Sequence, residues 1–384
     1  MRNFHVGTIT GIPIRLNITL VVFLPALAWL ISRPAQIEAY AGFVDRISPH
    51  AVETAVLLEG STPTIIGAAA AAGLFVGVLL HELGHSWTAR RYGITITSIT
   101  LWIFGGMAHM QNLPEDWDIE FYVALAGPAM SLVVGVVCYG LLWIVPPDPT
   151  LVFVIGWLAI INVSLVVFNL LPAFPMDGGR VLRALLARSR PYAEATQTAA
   201  TVGKGMAILM ALFAVLAFAP LLLLIAMFVY VAANAESRTT VLRELLRGMT
   251  ARDLMSSSKT VTPESTVEEL FGRIVADRST AYPVLDRGTL TGMVRLNDIK
   301  GVAESDRRST TVADVMGPTP PTVSPSADAF EVLQALSESG GDRVLVVEDG
   351  RLVGAVTTQD VVDAIEVLQG LGPRRDVPVP DGYA

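Results

Sequence analysis

The chain is poor in cysteine and in charged residues. Cys138 is the single cysteine among 384 residues, which excludes an internal disulfide. Only 16% of the residues are charged while 52% are hydrophobic, a composition too apolar for an ordinary soluble protein. Positive charge is scarcer than negative charge, and the net charge of −8 disfavours nucleic acid as a partner. The composition therefore predicts that part of the chain lies in a lipid bilayer.

The apolar residues are concentrated between about Leu16 and Ala235, and the chain after Arg238 has the composition of a globular domain. A hydrocarbon layer about 30 Å thick is crossed by roughly 20 apolar residues in a helix. Pro220 separates the last two apolar runs, which form either a tight hairpin or one broken helix. The runs predict six spanning helices, near residues 16–33, 64–88, 121–145, 150–170, 203–219 and 221–236.

The positions of the arginines predict an orientation in the cell membrane. Loops on the cytoplasmic side of membrane proteins carry an excess of Lys and Arg. With six spans, one side receives Arg2, Arg15, Arg90, Arg91, Arg180, Arg183, Arg188, Arg190, Arg238 and Arg243. We therefore expect a multi-pass membrane protein with both termini, and everything after the last span, in the cytoplasm.

Residues 94–110 have a different pattern, because apolar and polar residues alternate and Ile and Thr are frequent, as in a β-strand. Gly105-Gly106 permits a turn or a bulge. A strand at membrane depth must be packed within protein or line a cavity, since lipid cannot satisfy its backbone groups. The predicted fold is thus a polytopic α-helical membrane protein of about six transmembrane helices, with a membrane-associated re-entrant β segment, followed by an α+β domain.

Ionisable residues interrupt the second apolar run. His81 and His85 are four residues apart, so on a helix they share one face and can ligate one metal ion, with Glu82 beside them to polarise a water molecule. An incidental His-Glu-His at a helix end is the alternative. A charged group in a membrane segment costs about 2.5–3.5 kcal/mol on insertion scales. A bound metal would offset that cost, and Zn²⁺ suits two imidazoles and a carboxylate.

A third ligand is predicted where the fourth span ends. Pro172 and Pro175 stop the helix and force an extended backbone, and Gly178 allows a sharp turn after Asp177. In the predicted topology this carboxylate lies on the same side of the membrane as the end of the second span. Asp177 is therefore expected beside the two histidines, and an N-cap of the following helix is the alternative role.

The HExxH motif, followed about ninety residues later by Asn-x-x-Pro-x-x-Pro-x-Asp-Gly, resembles the site-2 protease family of intramembrane metalloproteases. The resemblance covers about residues 5–236 and defines a transmembrane domain at 1–240. It implies that His81, His85 and Asp177 bind zinc and that Glu82 is the general base. It also implies that Asn169 donates a hydrogen bond to the scissile carbonyl or to the oxyanion that develops from it, with a helix C-cap as its alternative role.

The C-terminal part contains an internal repeat. Gly292 and Asp298 recur as Gly354 and Asp360, in each case 62 residues later. The copies are placed at about 248–305 and 309–370, within a domain at 248–370, and each predicts the order strand, helix, strand, strand, helix. Residues 371–384 are rich in proline and charge and are predicted to be disordered.

The repeat resembles a tandem pair of cystathionine-β-synthase (CBS) domains. In the second copy, Thr357 and Asp360 match the Gly-x-x-Thr-x-x-Asp motif that holds the ribose and phosphates of an adenine nucleotide in that family. The first copy keeps Asp298 but has Arg295 where the motif has Thr, and this arginine can contact a phosphate. The resemblance implies ATP, ADP or AMP as a ligand and a homodimer as the assembly, while some pairs of this family bind no ligand.

Taken together, these features predict a zinc-dependent endopeptidase that cleaves transmembrane segments of membrane-anchored substrates near the cytoplasmic face, with CBS domains that respond to adenine nucleotide. The resemblance implies a membrane-spanning substrate such as an anti-sigma factor or a membrane-tethered regulator. The 94–110 segment either binds the unwound substrate by strand addition or is only a structural hairpin. A membrane transporter or channel with a CBS module is the alternative function, but it predicts polar groups spread over several spans.

Overall fold

The computed structural model describes residues 3–103, 105–110, 116–277, 279–339 and 343–370. Contacts divide the chain into a first unit, Met1–Arg238, and a second unit, Thr239–Ala384. The tail predicted to be disordered, 371–384, lies outside the described residues.

Nine helices form among the described residues of the first unit, and the last of them ends in the second unit. They are α1 (Ile18–Ile31), α2 (Pro34–Ile47), α3 (Thr54–Leu57), α4 (Thr62–Arg91), α5 (Trp117–Leu141), α6 (Pro149–Asn169), α7 (Asp177–Ala187), α8 (Tyr192–Leu216) and α9 (Pro220–Leu245). In the described part of the chain, α4, α5, α6, α8 and α9 are long and apolar enough to cross a membrane. The bent pair α1–α2 brings the number to six if it counts as one span. The last two predicted spans are separate helices, and α8 begins well before its predicted start.

The first predicted span, 16–33, has the wrong bounds. α1 has 14 residues and is about 21 Å long, too short to cross a bilayer alone. The two residues before it belong to a strand, and Asn17 caps the helix by accepting a hydrogen bond from the Thr19 N–H at 3.0 Å. Pro34 opens α2, which is bent by 71° from α1. A proline is favoured at this first helical position because its missing N–H has no partner there.

The strands of the first unit form one sheet in the order β1-β2-β3-β4: β1 (Asn3–Ile9), β2 (Ile12–Asn17), β3 (Ile96–Trp102) and β4 (Gly105–Met110). β2 and β3 are parallel, and the other two pairs are antiparallel. Residues 94–110 thus contain strands, as their alternation predicts. The β1–β2 hairpin was not predicted. Its two-residue turn has φ of 49° at Thr10 and 80° at Gly11, as in a type I′ turn.

Helices α4 and α5 approach each other closely. A Cβ at Gly84 of α4 would lie 2.6 Å from the Ala126 carbonyl oxygen of α5, so only glycine permits this separation. Small residues at such contacts are typical of packed membrane helices. The sheet packs on both α4 and α5, since Ile14 and Ile99 of the sheet belong to one buried apolar cluster with Leu83 of α4 and Val123 of α5.

The second unit contains the repeat in three dimensions. Its longer elements correspond pairwise at the 62-residue offset, with two antiparallel hairpins as their centres. The first copy comprises α10 (Ala251–Leu254), α11 (Val267–Asp277), β5 (Ala281–Asp286), β6 (Thr289–Arg295) and α12 (Leu296–Ile299). The second comprises α13 (Val312–Val315), β7 (Thr322–Val323), α14 (Ala329–Glu338), β8 (Arg343–Glu348), β9 (Arg351–Thr357) and α15 (Thr358–Gly370). β7 pairs in parallel with β8, and a bridge between Val261 and Val284 takes its place in the first copy.

Each copy contributes a short helix to the core of the other. Leu254 of α10 packs in the cluster around Val344 of β8, and Val312 of α13 packs in the cluster around Val284 of β5. A side chain also links the two copies: Arg343 Nη1 of β8 donates to the Ala281 carbonyl oxygen of β5 at 3.1 Å. The two copies therefore cannot separate without exposing both cores.

Candidate metal centre

Two histidines from α4 and the first residue of α7 converge on one point. The Nε2 atoms of His81 and His85 are 3.1 Å apart, and they lie 3.1 and 3.3 Å from Asp177 Oδ2. All three side chains are buried. They are predicted ligands, and among the described residues they form the group of His, Cys, Asp and Glu side chains able to hold a metal ion.

The geometry and the donor set suit zinc. Ligand atoms at about 2.0–2.1 Å from a tetrahedral zinc are about 3.3–3.4 Å apart, close to the three separations observed. Two imidazole nitrogens and one carboxylate oxygen make one triangular face of such a tetrahedron. A zinc ion held by these three residues would have a position left for water or substrate, as in catalytic rather than structural zinc sites.

Helix α5 orients both imidazoles through their second nitrogen. His81 Nδ1 lies 2.9 Å from Ser131 Oγ, and His85 Nδ1 lies 2.7 Å from the Val123 carbonyl oxygen. A carbonyl can only accept, so His85 carries its proton on Nδ1 when neutral and leaves the Nε2 lone pair for a metal. Partners of this kind fix the ring plane and strengthen the ligand.

Gly127 of α5 lies directly against the two coordinating nitrogens. A Cβ built there would be 2.7 Å from His81 Nε2 and closer still to His85 Nε2. The backbone of α5 therefore forms the rear wall of the centre, and a larger residue at this position would displace the rings.

The segment after α6 presents the carboxylate. Leu170 to Met176 follow the helix, with a cis peptide bond between Phe174 and Pro175. Asp177 then begins α7, and Met176 occupies the N-cap position. The alternative role of Asp177 as an N-cap is therefore not observed. A Cβ at Gly179 would meet the Ala173 carbonyl carbon at 2.7 Å, so α7 folds back tightly on this segment.

The ligands line a cavity of about 620 Å³. Glu82 lines it too, and the backbone of Gly106 in β4 lies against its carboxylate, since a Cβ at Gly106 would be 2.8 Å from Glu82 Oε1. β4 is the edge strand of its sheet, and residues 105–108 form one wall of the cavity. The remaining walls include Asn169, Arg180 and, from α9, Ile225, Phe228 and Val229.

Asn169 is the last residue of α6, and its side chain has one bond within the helix. Nδ2 donates to the Leu165 carbonyl oxygen at 3.0 Å. An amide nitrogen has two hydrogens, so this bond leaves one hydrogen for another acceptor. The predicted donor thus lines the cavity and is also tied to its own helix.

Behind α7 lies a buried network of charges. Arg183 Nε donates to Glu120 Oε1 of α5 at 2.9 Å, Arg183 Nη2 makes a second, shorter bond to the same oxygen, and Arg183 Nη1 reaches Glu236 Oε1 of α9 at 2.5 Å. Burial alone would lower the pKa of Arg183, but the Glu120 carboxylate more than offsets this and raises it. The network fixes α7 against α5 and α9.

The residues predicted to bind nucleotide form helix caps in the second unit. Thr357 N–H and Oγ1 donate to Asp360 Oδ2 at 2.7 and 2.6 Å. In the first copy, Arg295 N–H donates to Asp298 Oδ2 at 2.7 Å. Both aspartates thus have a structural function at the start of a helix.

Several residues of the centre escape prediction from the sequence. Ser131 and Val123 are ordinary residues of an apolar helix, and no local pattern links them to the histidines. Gly127 lies in the stretch Ala-Gly-Pro, which fits the layout of the resembled family, but its contact with the imidazoles follows only from the packing of α4 on α5. Arg180 directly follows Gly178-Gly179, and only its spacing of three from Asp177 could have indicated its position.

Comparisons with known proteins agree with both units. The model of peptidase family M50 matches residues 69–150 and 146–212, and the model of the CBS domain matches 251–304 and 312–367. Zinc metalloprotease MJ0392 of Methanocaldococcus jannaschii is 33% identical over 94% of this chain and 95% of its own. Rip3 of Mycobacterium tuberculosis is 34% identical over 79% of this chain and 82% of its own.

Among solved structures, the site-2 protease from Methanocaldococcus jannaschii is 34% identical, and the match covers 62% of this chain and 95% of that one with a TM-score of 0.43. The full-length likeness to a zinc metalloprotease carries the assignment, because it includes both units. The chain belongs to peptidase family M50, the site-2 protease family, and is a multi-pass membrane zinc metalloendopeptidase with tandem CBS domains.

Proposed function

We propose that the chain cleaves a peptide bond within the transmembrane segment of a membrane-anchored protein, at a zinc ion held by His81, His85 and Asp177. The observation that carries the proposal is the convergence of these three ligand atoms, which lie 3.1–3.3 Å from one another in a cavity that Glu82 also lines. The family assignment does not favour the alternative of a transporter or channel.

The chain's own residues supply the proton transfers. Zinc bound at this centre would polarise the scissile carbonyl and lower the pKa of a water molecule to about 7. Glu82 takes the proton from the attacking water and passes it to the amine nitrogen as the carbon–nitrogen bond breaks. The backbone of Gly106 holds the carboxylate in place. Asn169 donates its remaining amide hydrogen to the substrate carbonyl.

The substrate binds as a strand beside β4. Peptide bonds in a helix are hydrogen-bonded and shielded, so a transmembrane helix has to unwind before hydrolysis. An edge strand offers unpaired N–H and C=O groups to an extended peptide. β4 has this position, and its residues 105–108 line the cavity next to Glu82. The substrate is therefore held with its backbone parallel to the wall that carries the general base.

The sheet supports a topology with six crossings and cytoplasmic termini. α4 has 30 residues and is about 45 Å long, so it crosses the membrane once. β2 precedes α1, β3 follows α4, and these two strands are paired neighbours. The pair α1–α2 must then cross once in the opposite direction to bring β3 back to β2. The arginines at the C-terminal end of α4 support a cytoplasmic location for this side and for the site of cleavage.

A cleavage assay tests the proposed activity. A model transmembrane peptide in detergent is incubated with the wild type and with Glu82→Gln, with and without a chelator. We expect cleavage by the wild type to stop on chelation, and the variant to be about 10²–10⁴-fold slower with zinc still bound at one equivalent. Equal cleavage by both proteins, or cleavage that survives removal of the metal, would refute the proposal.

For the second unit, we propose that adenine nucleotide binds at Thr357 and Asp360, with Asp298 and Arg295 as the corresponding residues of the first copy, and that binding changes the cleavage rate in a homodimer. The match of both copies to the CBS model and the spacing of these residues support the proposal. The Thr357 hydroxyl lies at the start of α15, where a phosphate or ribose oxygen is stabilised by the helix N-terminus.

Thr357→Val has a matched control in Thr311→Val. Thr311 makes the same two contacts with Asp314 at the start of α13, at 2.9 and 2.7 Å, so both variants lose one helix cap. In calorimetric titrations of the full chain with ATP, we expect Thr357→Val to weaken binding at least tenfold and Thr311→Val to leave it unchanged. A cleavage rate that stays flat across the ATP titration would refute the regulatory role. The mass of the detergent-solubilised protein tests the homodimer.

A further inference from the structure

Arg180 is a cation in the wall of the metal cavity. It lies three residues after Asp177 on α7, so the two side chains share one face of the helix. Its side chain is 25% exposed, and it lines the cavity together with Glu82 and Asn169. Among the described residues that line this cavity, it is the only arginine or lysine.

The N–H donors of Arg180 are available to a ligand. Its ion-pair partner is Glu120, but the separation of 3.9 Å between Arg180 Nε and Glu120 Oε1 is beyond hydrogen-bond distance. The same carboxylate oxygen takes its close bonds from Arg183. Within the described residues, Arg180 donates no hydrogen bond to a protein acceptor, although a guanidinium has five N–H donors. Glu120 thus balances the charge of Arg180 and leaves its donors available to a ligand.

Hydrolysis creates a need for such a donor. When water adds to the scissile carbonyl, the oxygen of that carbonyl acquires negative charge. Asn169 has one amide hydrogen left for this oxygen, and Glu82 and Asp177, whose carboxylates also line the cavity, cannot stabilise it. A donor aimed at developing charge in a site shielded from water is worth more than the same donor in water. A guanidinium also stays protonated throughout, so it does not compete with Glu82 for the proton.

We infer that Arg180 is a catalytic residue whose guanidinium donates to the carbonyl oxygen of the scissile peptide in the tetrahedral intermediate. This inference rests on the proposed protease activity of the same cavity. The bonds that form and break are those of the hydrolysis itself, since Arg180 gains and loses no proton. The competing role is purely structural: Arg180 would only hold α7 near Glu120.

Kinetics of Arg180→Gln separate the two roles, with Arg188→Gln as the control. Arg188 is the C-cap residue at the other end of α7, and it is exposed. Its guanidinium carbon lies 5.4 Å from the centre of the Trp117 ring, and it does not line the cavity. On the transmembrane peptide substrate, we expect Arg180→Gln to lower kcat about 10²–10³-fold with KM within threefold of the wild type and zinc still bound. Arg188→Gln should change neither constant by more than twofold.

A transition-state analogue sharpens the test. A phosphinic peptide of the substrate sequence carries the tetrahedral anion, and a peptide with a reduced, uncleavable bond does not. Arg180→Gln should lower the affinity for the phosphinic peptide by the same factor by which it lowers kcat. It should leave the affinity for the reduced peptide unchanged. An unchanged kcat, or an equal loss of affinity for both peptides, would overturn the inference.

If the Arg180→Gln protein does not fold or does not bind zinc, Arg180→Lys distinguishes the catalytic role of Arg180 from the structural role. Lysine keeps a positive charge beside Glu120 but lacks the planar set of donors, so we expect a kcat at least tenfold below that of the wild type. A lysine variant with wild-type kcat would show that charge near Glu120 suffices, and would also overturn the inference. Absence of cleavage by the wild type would instead refute the proposed function.

Discussion

Substitution of Gly127 by alanine tests the geometry of the metal centre most directly. The added methyl carbon would be 2.7 Å from His81 Nε2 and closer to His85 Nε2. Non-bonded heavy atoms rest at about 3.5–4.0 Å, so the rings have to retreat by roughly 1 Å. Zinc–nitrogen distances are tolerated within about 0.2 Å of their ideal value, so two of the three ligands leave coordination range.

Gly127→Ala should lower the zinc affinity more than the loss of a hydrogen-bond partner of one ligand does. Removal of an outer hydrogen-bond partner typically costs 10–100-fold in metal affinity, about 1.4–2.8 kcal/mol. Displacement of two ligands should cost more, so we expect Gly127→Ala to bind zinc at least 100-fold more weakly than the wild type. Cleavage should fall in proportion to the occupied fraction and recover in part at high zinc concentration.

Zinc affinity is measured by competition with a chromophoric chelator on detergent-solubilised protein, beside cleavage of the model peptide. Gly140→Ala is the matched control, because it makes the same change on the same helix, where a Cβ meets nothing within 4 Å. Both variants gain similarly in helix propensity. Wild-type zinc affinity in Gly127→Ala would refute the close approach of α5 to the imidazoles.

Four further substitutions have distinct expected outcomes. Ser131→Ala removes an imidazole partner and should weaken zinc binding 10–100-fold in the same competition assay. Gly106→Ala should displace the Glu82 carboxylate, so that cleavage falls at least 100-fold while zinc stays bound. Arg183→Met removes the hydrogen-bond donors of the buried Glu120 carboxylate, which should lower the stability by about 3 kcal/mol or more and show as a lower Tm. Asp314 accepts bonds from a threonine hydroxyl and N–H that lower its pKa. Its contribution to stability is therefore complete above the unfolded pKa of about 3.9 and is lost as the pH falls from there through the lower pKa of the folded state. The Tm difference between wild type and Asp314→Ala should shrink progressively as the pH falls below about 4.

The ligand set is the part of the site that the sequence predicts best, and the reason is physical. The spacing of His81 and His85 acts within one helix, where geometry follows directly from the sequence. Asp177 is far along the chain, but membrane thickness restricts where a span can end, and this restriction places its carboxylate at the level of the histidines. Both arguments use distances that a bilayer and a helix fix in advance.

The parts that were not predicted depend on packing between elements. The contact of Gly127 with two imidazoles exists only because α5 lies against α4 at the distance that Gly84 allows. The 16–33 span has wrong bounds because hydropathy ignores a β-hairpin, and Thr10-Gly11 lacks the Asn-Gly or Asp-Gly pattern that signals such a turn. Local patterns thus predict chemistry and span number, whereas helix-to-helix distances require the fold.

Two sets of contacts around the metal centre have separable functions. Helix α5 contacts the nitrogens of His81 and His85 through Ser131 and Gly127, and among the described residues it contributes no ligand atom of its own. Changes there should act on zinc affinity. Residues 105–108 of β4 and Arg180 line the cavity, and Gly106 lies against the Glu82 carboxylate, so changes there should act on turnover with zinc in place. If a β4 substitution removed zinc as efficiently as an α5 substitution, this division would be wrong, and the cavity would have to be treated as one cooperative unit.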